Sequence, residues 1–138
     1  MITYNTKNVA MPDIDEAEVS AWLRQVAKSY GKVLGDVNYI LVDDETMLDI
    51  NRRFIGHDYS PDHIGFDYSE GDALSGDIYI SLDTVRTNAE LYGATFDGEL
   101  RRIIIHGLLH LCGLRDKTDQ ERKAMQEAED KALAHQTH

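Results

Sequence analysis

Toward the C-terminal end of the 138-residue chain, the apolar run "IIIHGLLHLCGLRDKTD" carries two histidines four residues apart, His106 and His110. On an α-helix this spacing stacks both imidazoles on one face. That is the geometry in which two histidines can share a zinc ion. Gly113 follows three residues later, and a left-handed glycine there would end the helix and turn the chain back toward the same face. Asp116 arrives three residues further on, with a carboxylate able to supply a third bond. Three protein ligands leave one position open, the pattern of a catalytic rather than a structural zinc site. The expected ligands of one divalent ion are therefore His106, His110 and Asp116. Zinc suits the imidazole pair, and the harder carboxylate widens the choice toward manganese or magnesium. Two alternatives stand beside this reading. The histidines can be satisfied core residues, and Asp116 can cap the turn or orient a histidine rather than bind the ion.

Other residues near this run are assigned by the same chemistry. Metalloproteases of the metzincin type have similar histidine spacing but place a glutamate directly after the first histidine as general base. Here that position is Gly107, which accepts no proton, so an ordinary zinc peptidase is disfavoured. Arg101, Arg102, Arg115 and Lys117 form a basic cluster flanking the run. Arg102 precedes His106 by one turn on the same face, and it is the candidate to contact a phosphate oxygen in binding and in catalysis. Arg115 is the second candidate for substrate binding. The bland account of both is an ion pair at the surface, with Glu99 or another acid as the partner of Arg102. Cys112, two residues from His110, points to nearly the opposite side of a helix and reads as a small buried hydrophobe. His57 and His63 share a segment with Asp58 and Asp62, which reads as turn chemistry. Ser81, Asp83 and Thr84 read as helix capping rather than catalysis.

The elements that must hold these residues follow from periodicity. Ile14, Val19, Trp22, Leu23, Val26 and Ala27 recur at helical spacing, so a helix should run from Pro12-Asp13 to about Tyr30. "DVNYILVDD" predicts a strand through Val42, and Asp43 or Asp44 should cap the helix that follows. The segment "GHDYSPDHIGFDYSEGD" predicts loop, short strand and loop. Ile78, Ile80 and Leu82 alternate in "GDIYISLDTV" and predict a strand. A helix from Asp83 or Thr84 should end at Gly93, and another should run from Phe96 to Leu111. Thr118-Asp119-Gln120-Glu121 is a capping box opening a polar last helix. The tail after about residue 134, with His135 and His138, is expected to fray. The class is therefore α+β: one small domain with a roughly four-stranded mixed sheet and about five helices.

Composition sets the outer bounds. A chain of 138 residues with 42% hydrophobic content supports one core and not two. No window approaches the ~20 apolar residues of a membrane span, and the N-terminus lacks the features of a signal peptide. The single cysteine allows no intrachain disulfide, which suits the cytoplasm. Fourteen Lys and Arg against 25 Asp and Glu give a net charge of -11, which argues mildly against non-specific binding to polyanions, DNA included.

"HGLLHLCG" resembles the signature of the YbeY family of metal-dependent endoribonucleases, taken as H-G-x-L-H-L-x-G-x-D-H. "GDIYISLDTV" is similar to the family's G-D-I-x-I-S-x-D-T segment, and "HDYSPDHIGFDYS" falls where the family has a K-D-x-P-T-D-V-L-S-F-like stretch. The likeness covers roughly residues 36 to 130. It implies a small α/β fold, a zinc-type site and single-stranded RNA as substrate. It also implies a role in ribosomal RNA maturation and quality control of the small ribosomal subunit. Two positions depart from the pattern. Ungapped, the family's third histidine falls on Asp116 and its preceding aspartate on Arg115; a shift of one residue would place that histidine on Lys117, which cannot ligate while charged. The ungapped pairing keeps a competent ligand. The family's arginine after the preceding helix falls near Ile55, with Arg52 and Arg53 as possible substitutes.

A divalent ion lowers the pKa of water from about 16 toward 7 and polarises a phosphoryl oxygen, so no glutamate base is required. The leading expectation is a metal-dependent endoribonuclease. A ribosome-assembly binding module with a structural metal is the alternative, and a zinc peptidase the weaker one.

Overall fold

In the computed structural model, which describes residues 1–56 and 61–134, the apolar runs become a sheet with helices on both faces. The elements in chain order are β1 (Ile2–Lys7), α1 (Glu16–Ser29), β2 (Val33–Val42) and α2 (Asp44–Ile50), continued by a π-helical turn (Asn51–Ile55). There follow β3 (His63–Asp67), β4 (Ala73–Ser81), α3 (Leu82–Tyr92), α4 (Phe96–Leu111) and α5 (Asp119–Ala134). Among the described residues the sheet has four strands in the order β1-β2-β4-β3. β1, β2 and β4 are parallel, and β3 runs antiparallel along the outer edge of β4. The expected mixed four-stranded sheet with five helices is the fold observed.

The alternation of side chains explains the two layers. Val37, Tyr39, Leu41, Ile78 and Ile80 point into a core shared with Val19, Trp22 and Leu23 of α1 and Ile104, Ile105 and Leu108 of α4. The intervening residues Ile40, Val42 and Tyr79 point the other way, onto Met47 and Ile50 of α2, joined by Ile64 and Phe66 of β3. β3 therefore sends Ile64 and Phe66 to the α2 side, which leaves His63 on the α4 side.

The first strand escaped the sequence reading because "ITYNTK" has little apolar alternation, and only Tyr4 in it is buried. It is a strand because its backbone pairs in register with β2, from Ile2 opposite Val37 to Lys7 opposite Val42. The helix before α2 starts later than Pro12, at Glu16, because the Asp15 side chain accepts a hydrogen bond from Glu18 N and fixes the cap there. Leu82 belongs to α3 rather than to β4: Ser81 is the cap, its Oγ accepting from Thr84 N. The capping box at Thr118 is reciprocal, with Thr118 N to Glu121 Oε1 and Glu121 N to Thr118 Oγ1 both 3.0 Å. No helix among the described residues is long and apolar enough to cross a membrane.

α4 carries the two histidines, and three features fix it. Its N-terminus is capped by Thr95, whose Oγ1 accepts from Gly98 N at 3.0 Å. The Tyr39 hydroxyl, fully buried under the helix, donates to Ile104 O at 2.9 Å. Gly107 lets the helix approach β4 closely, since a Cβ there would lie 3.0 Å from Ile78 Cγ2. The residue that a metzincin uses as base is thus, in this chain, the contact point between helix and sheet. α5 is anchored across α1 by Trp22 Nε1, which donates to Ala132 O at 2.9 Å.

Candidate metal centre

Arg102, His106 and His110 project from one side of α4 at intervals of four residues, and each is half-buried, between the covered and the open sides of the helix. As the spacing predicts, α4 ends at Leu111, and Gly113 adopts φ +102°. The Gly113 amide donates to His110 O at 3.0 Å, and Leu114 N to Leu109 O at 3.1 Å. This turn brings Asp116 back over the histidines. Its Oδ2 lies 3.2 Å from His106 Nε2 and 3.3 Å from His110 Nε2, and the two Nε2 atoms are 3.0 Å apart.

The hydrogen-bond partners on the far side of each ring decide what those nitrogens are. His106 Nδ1 donates to Glu129 Oε2 at 2.5 Å, and His110 Nδ1 donates to Leu114 O at 3.1 Å. With Nδ1 protonated in both rings, each Nε2 presents a lone pair. Three electron-rich atoms then face one another at 3.0–3.3 Å, an arrangement that calls for a cation. Zinc–nitrogen bonds of about 2.0–2.1 Å at tetrahedral angles place donors about 3.3 Å apart. The donor set fits a divalent ion in chemistry and in spacing.

Burial pushes the His106 imidazolium down, but the hydrogen bond and charge of Glu129, with Asp116 and Asp62, outweigh it and hold His106 above its ordinary value. Burial and then the neighbouring His106 push His110 below its own.

His63 is the residue the sequence reading set aside. Taken there as turn chemistry, it instead begins strand β3 and meets both histidines. Its ring centroid is 4.7 Å from that of His106 and 5.9 Å from that of His110. His63, His106 and His110 offer ligand atoms that all lie within 4.8 Å of one another, so this group could hold a metal ion. Its own Nδ1 pairs with Asp62 Oδ1 at 2.9 Å. The available signal was strand alternation, which puts His63 on the face opposite Ile64. His57 and Asp58 lie outside the described residues, as do His135 and His138.

The basic candidates occupy the flanks. Arg102 donates from Nη1 to Glu129 Oε1 at 2.9 Å and from Nη2 to Asp130 Oδ1 at 2.8 Å. Glu129 is therefore held between Arg102 and His106. Arg102, His106, Glu129, Glu99, Tyr92 and Arg122 line a cavity of about 630 Å³ between α4 and α5. Glu99 is a buried acid whose carboxyl is raised by burial despite the opposing charge of Arg102. Arg115 and Lys117 line a smaller cavity of about 250 Å³ with His110 and Asp116. Arg115 is exposed and reaches Glu121 at 3.7 Å. Near Ile55, Arg53 pairs with Asp49 at 3.0 Å, and Arg52 lines a separate cavity with Lys7, Asp43 and Asp49. Cys112 faces away from the centre, against the core, and burial pushes its thiol to about 11.

Comparisons with known proteins agree with this geometry. The chain matches the family model described as Endoribonuclease YbeY over residues 2–137, well beyond the stretch that the motifs alone cover. It is 57% identical over 133 residues to Endoribonuclease YbeY of Bacteroides thetaiotaomicron, covering 96% of this chain and 97% of that protein. Against Endoribonuclease YbeY of Porphyromonas gingivalis it is 45% identical over 132 residues, covering 96% of this chain and 87% of the relative. The solution structure of TM1509 from Thermotoga maritima is similar with a TM-score of 0.65 at 26% identity, covering 97% of this chain and 90% of that one.

Proposed function

Because the chain belongs to the YbeY family of endoribonucleases, we propose that it cleaves single-stranded RNA at one divalent ion, zinc being the expected one, held by His106, His110 and Asp116. The observation that carries this reading is the convergence of the two Nε2 atoms and Asp116 Oδ2 at 3.0–3.3 Å. A divalent ion at that point supplies Lewis acidity toward a phosphodiester oxygen and makes water more acidic. The chain's own residues do the rest. Glu129 and Leu114 O hold the two imidazoles in the tautomer that binds, and Arg102 in turn braces Glu129. Arg115 and Lys117 add positive charge beside Asp116, where an RNA phosphate can approach. Tyr92, exposed in the larger cavity beside His106, offers a ring on which an unstacked base can lie.

The family points to precursors of small-subunit ribosomal RNA as the substrate, with the small ribosomal subunit as partner, and the single cysteine suits the cytoplasm as the place of action. The net charge of -11 argues mildly against non-specific binding to polyanions, so RNA contact is expected at this basic-flanked region, and no DNA partner is expected.

The test is cleavage of a single-stranded RNA with and without chelator, alongside metal analysis of a variant with His106→Ala and His110→Ala. Chelator-sensitive cleavage and a loss of stoichiometric metal in the variant are expected. Undiminished metal in the variant would overturn the ligand set. Binding to the small subunit that survives both substitutions, with no cleavage by the intact protein, would favour the assembly-module reading.

A further inference from the structure

We propose that His63, oriented by Asp62, is a fourth protein ligand of the same ion, supplied by the edge strand β3 rather than by α4 and its turn. The inference rests on the metal site proposed above and adds a residue from a different element.

Three observations carry it. The His63 ring lies against both helix histidines, at 4.7 Å and 5.9 Å between centroids, and not out in solvent. Its ligand atom falls within 4.8 Å of those of His106 and His110. Its Nδ1 is occupied by Asp62 Oδ1 at 2.9 Å, so Nε2 is the nitrogen left to donate. That is the pairing Glu129 makes with His106: a carboxylate fixes the ring and raises the basicity of the opposite nitrogen. Two carboxylate–histidine pairs on two elements, with ring nitrogens within 4.8 Å of one another, are more than packing requires. A histidine that served only to fill space would need no ionised partner.

The consequence is a donor set of three nitrogens and one oxygen. Together with His106, His110 and Asp116, His63 would hold the ion, which would still supply Lewis acidity toward a phosphodiester oxygen. It also ties the outer strand of the sheet to α4, so metal binding and the order of β3 become linked.

The experiment uses the full chain, stripped of metal and refilled. Zinc affinity is measured by competition with a chromophoric chelator for wild type, His63→Ala, Asp62→Asn and His106→Ala. The expected result is a loss of at least about 100-fold for His63→Ala and about 10-fold for Asp62→Asn, in line with the 10–100-fold effect of removing a ligand's orienting partner. X-ray absorption of the zinc-loaded wild type should count three imidazoles, a readout that does not depend on any variant folding. Two imidazoles, with wild-type zinc affinity in His63→Ala, would overturn the proposal. If His106→Ala loses zinc while His63→Ala keeps it, His63 is not a ligand and the three-residue site stands. If His106→Ala also keeps stoichiometric zinc, the site itself is misplaced.

Discussion

Asp116 and Glu129 are both carboxylates beside histidine, yet their positions give them different work. Asp116 faces the Nε2 atoms, where an ion would sit, whereas Glu129 faces His106 from behind, at Nδ1. Asp116→Asn should lose metal affinity sharply, because an amide still caps a turn but ligates poorly; equal zinc affinity in the variant and wild type would return Asp116 to a capping role. Glu129→Ala should cost roughly 10- to 100-fold in zinc affinity through the freed imidazole. Arg102→Ala should do the same to a smaller degree, because Arg102 holds Glu129. If Arg102 instead contacts phosphate, its removal flattens the salt dependence of RNA binding and leaves zinc affinity unchanged. The pH dependence has a definite sign. A protonated His106 cannot bind metal, and its carboxylate neighbours hold its proton above the ordinary imidazole value. Zinc affinity should therefore start to fall at a higher pH than for an isolated imidazole as the solution is acidified. Titration of zinc affinity against pH, wild type beside Glu129→Gln, checks this; the variant's fall should lie lower.

The site depends on elements in the order in which they are fixed. α4 is covered on most of its circumference, with Ile103, Ile104, Ile105, Leu108 and Leu109 all buried, so its rotation about its own axis is set by the core. Gly107 sets its distance from the sheet. Gly107→Ala places a methyl 3.0 Å from Cγ2 and 3.1 Å from Cδ1 of the fully buried Ile78. Overpacking of this kind costs about 1–3 kcal/mol, against a gain of about 1 kcal/mol from alanine's helix propensity. The expected net result is a loss of up to about 2 kcal/mol in urea denaturation, partly relieved when Ile78→Val removes Cδ1. A stable Gly107→Ala single variant would show that helix and sheet can separate without cost. α5 matters for another reason: it delivers Glu129 and Asp130 from a distant part of the chain, and Trp22 secures its far end through Ala132 O.

At the scale of the molecule, an ion held by His106, His110 and Asp116 would join the turn after α4 to the helix itself, and through Glu129 the helix to α5. Ligands that bind only the folded state stabilise it by mass action, about 2.7 kcal/mol at free ligand 100 times Kd. Added zinc should therefore raise the thermal midpoint in proportion to the logarithm of its free concentration, and chelator should lower it. A midpoint indifferent to both would show that the folded chain holds no ion. The sequence by itself determined what depends on local spacing. His106 and His110 share a face because a helix repeats every 3.6 residues, and Asp116 returns to that face because Gly113 can take a positive φ. The helix boundaries at Thr118 and Gly93 were legible for the same reason, as side-chain and glycine caps act within one turn. Only the tertiary structure decided what lies far apart in the chain. β1 is a strand through its backbone pairing with β2 rather than through its own pattern. Glu129 reaches His106 across 23 residues because α5 folds back along α4. His63, separated from His106 by 43 positions in the sequence, meets it because β3 runs antiparallel on the edge beside that helix. No local periodicity encodes such meetings, since they arise from the order of strands in the sheet and the packing of helices upon it.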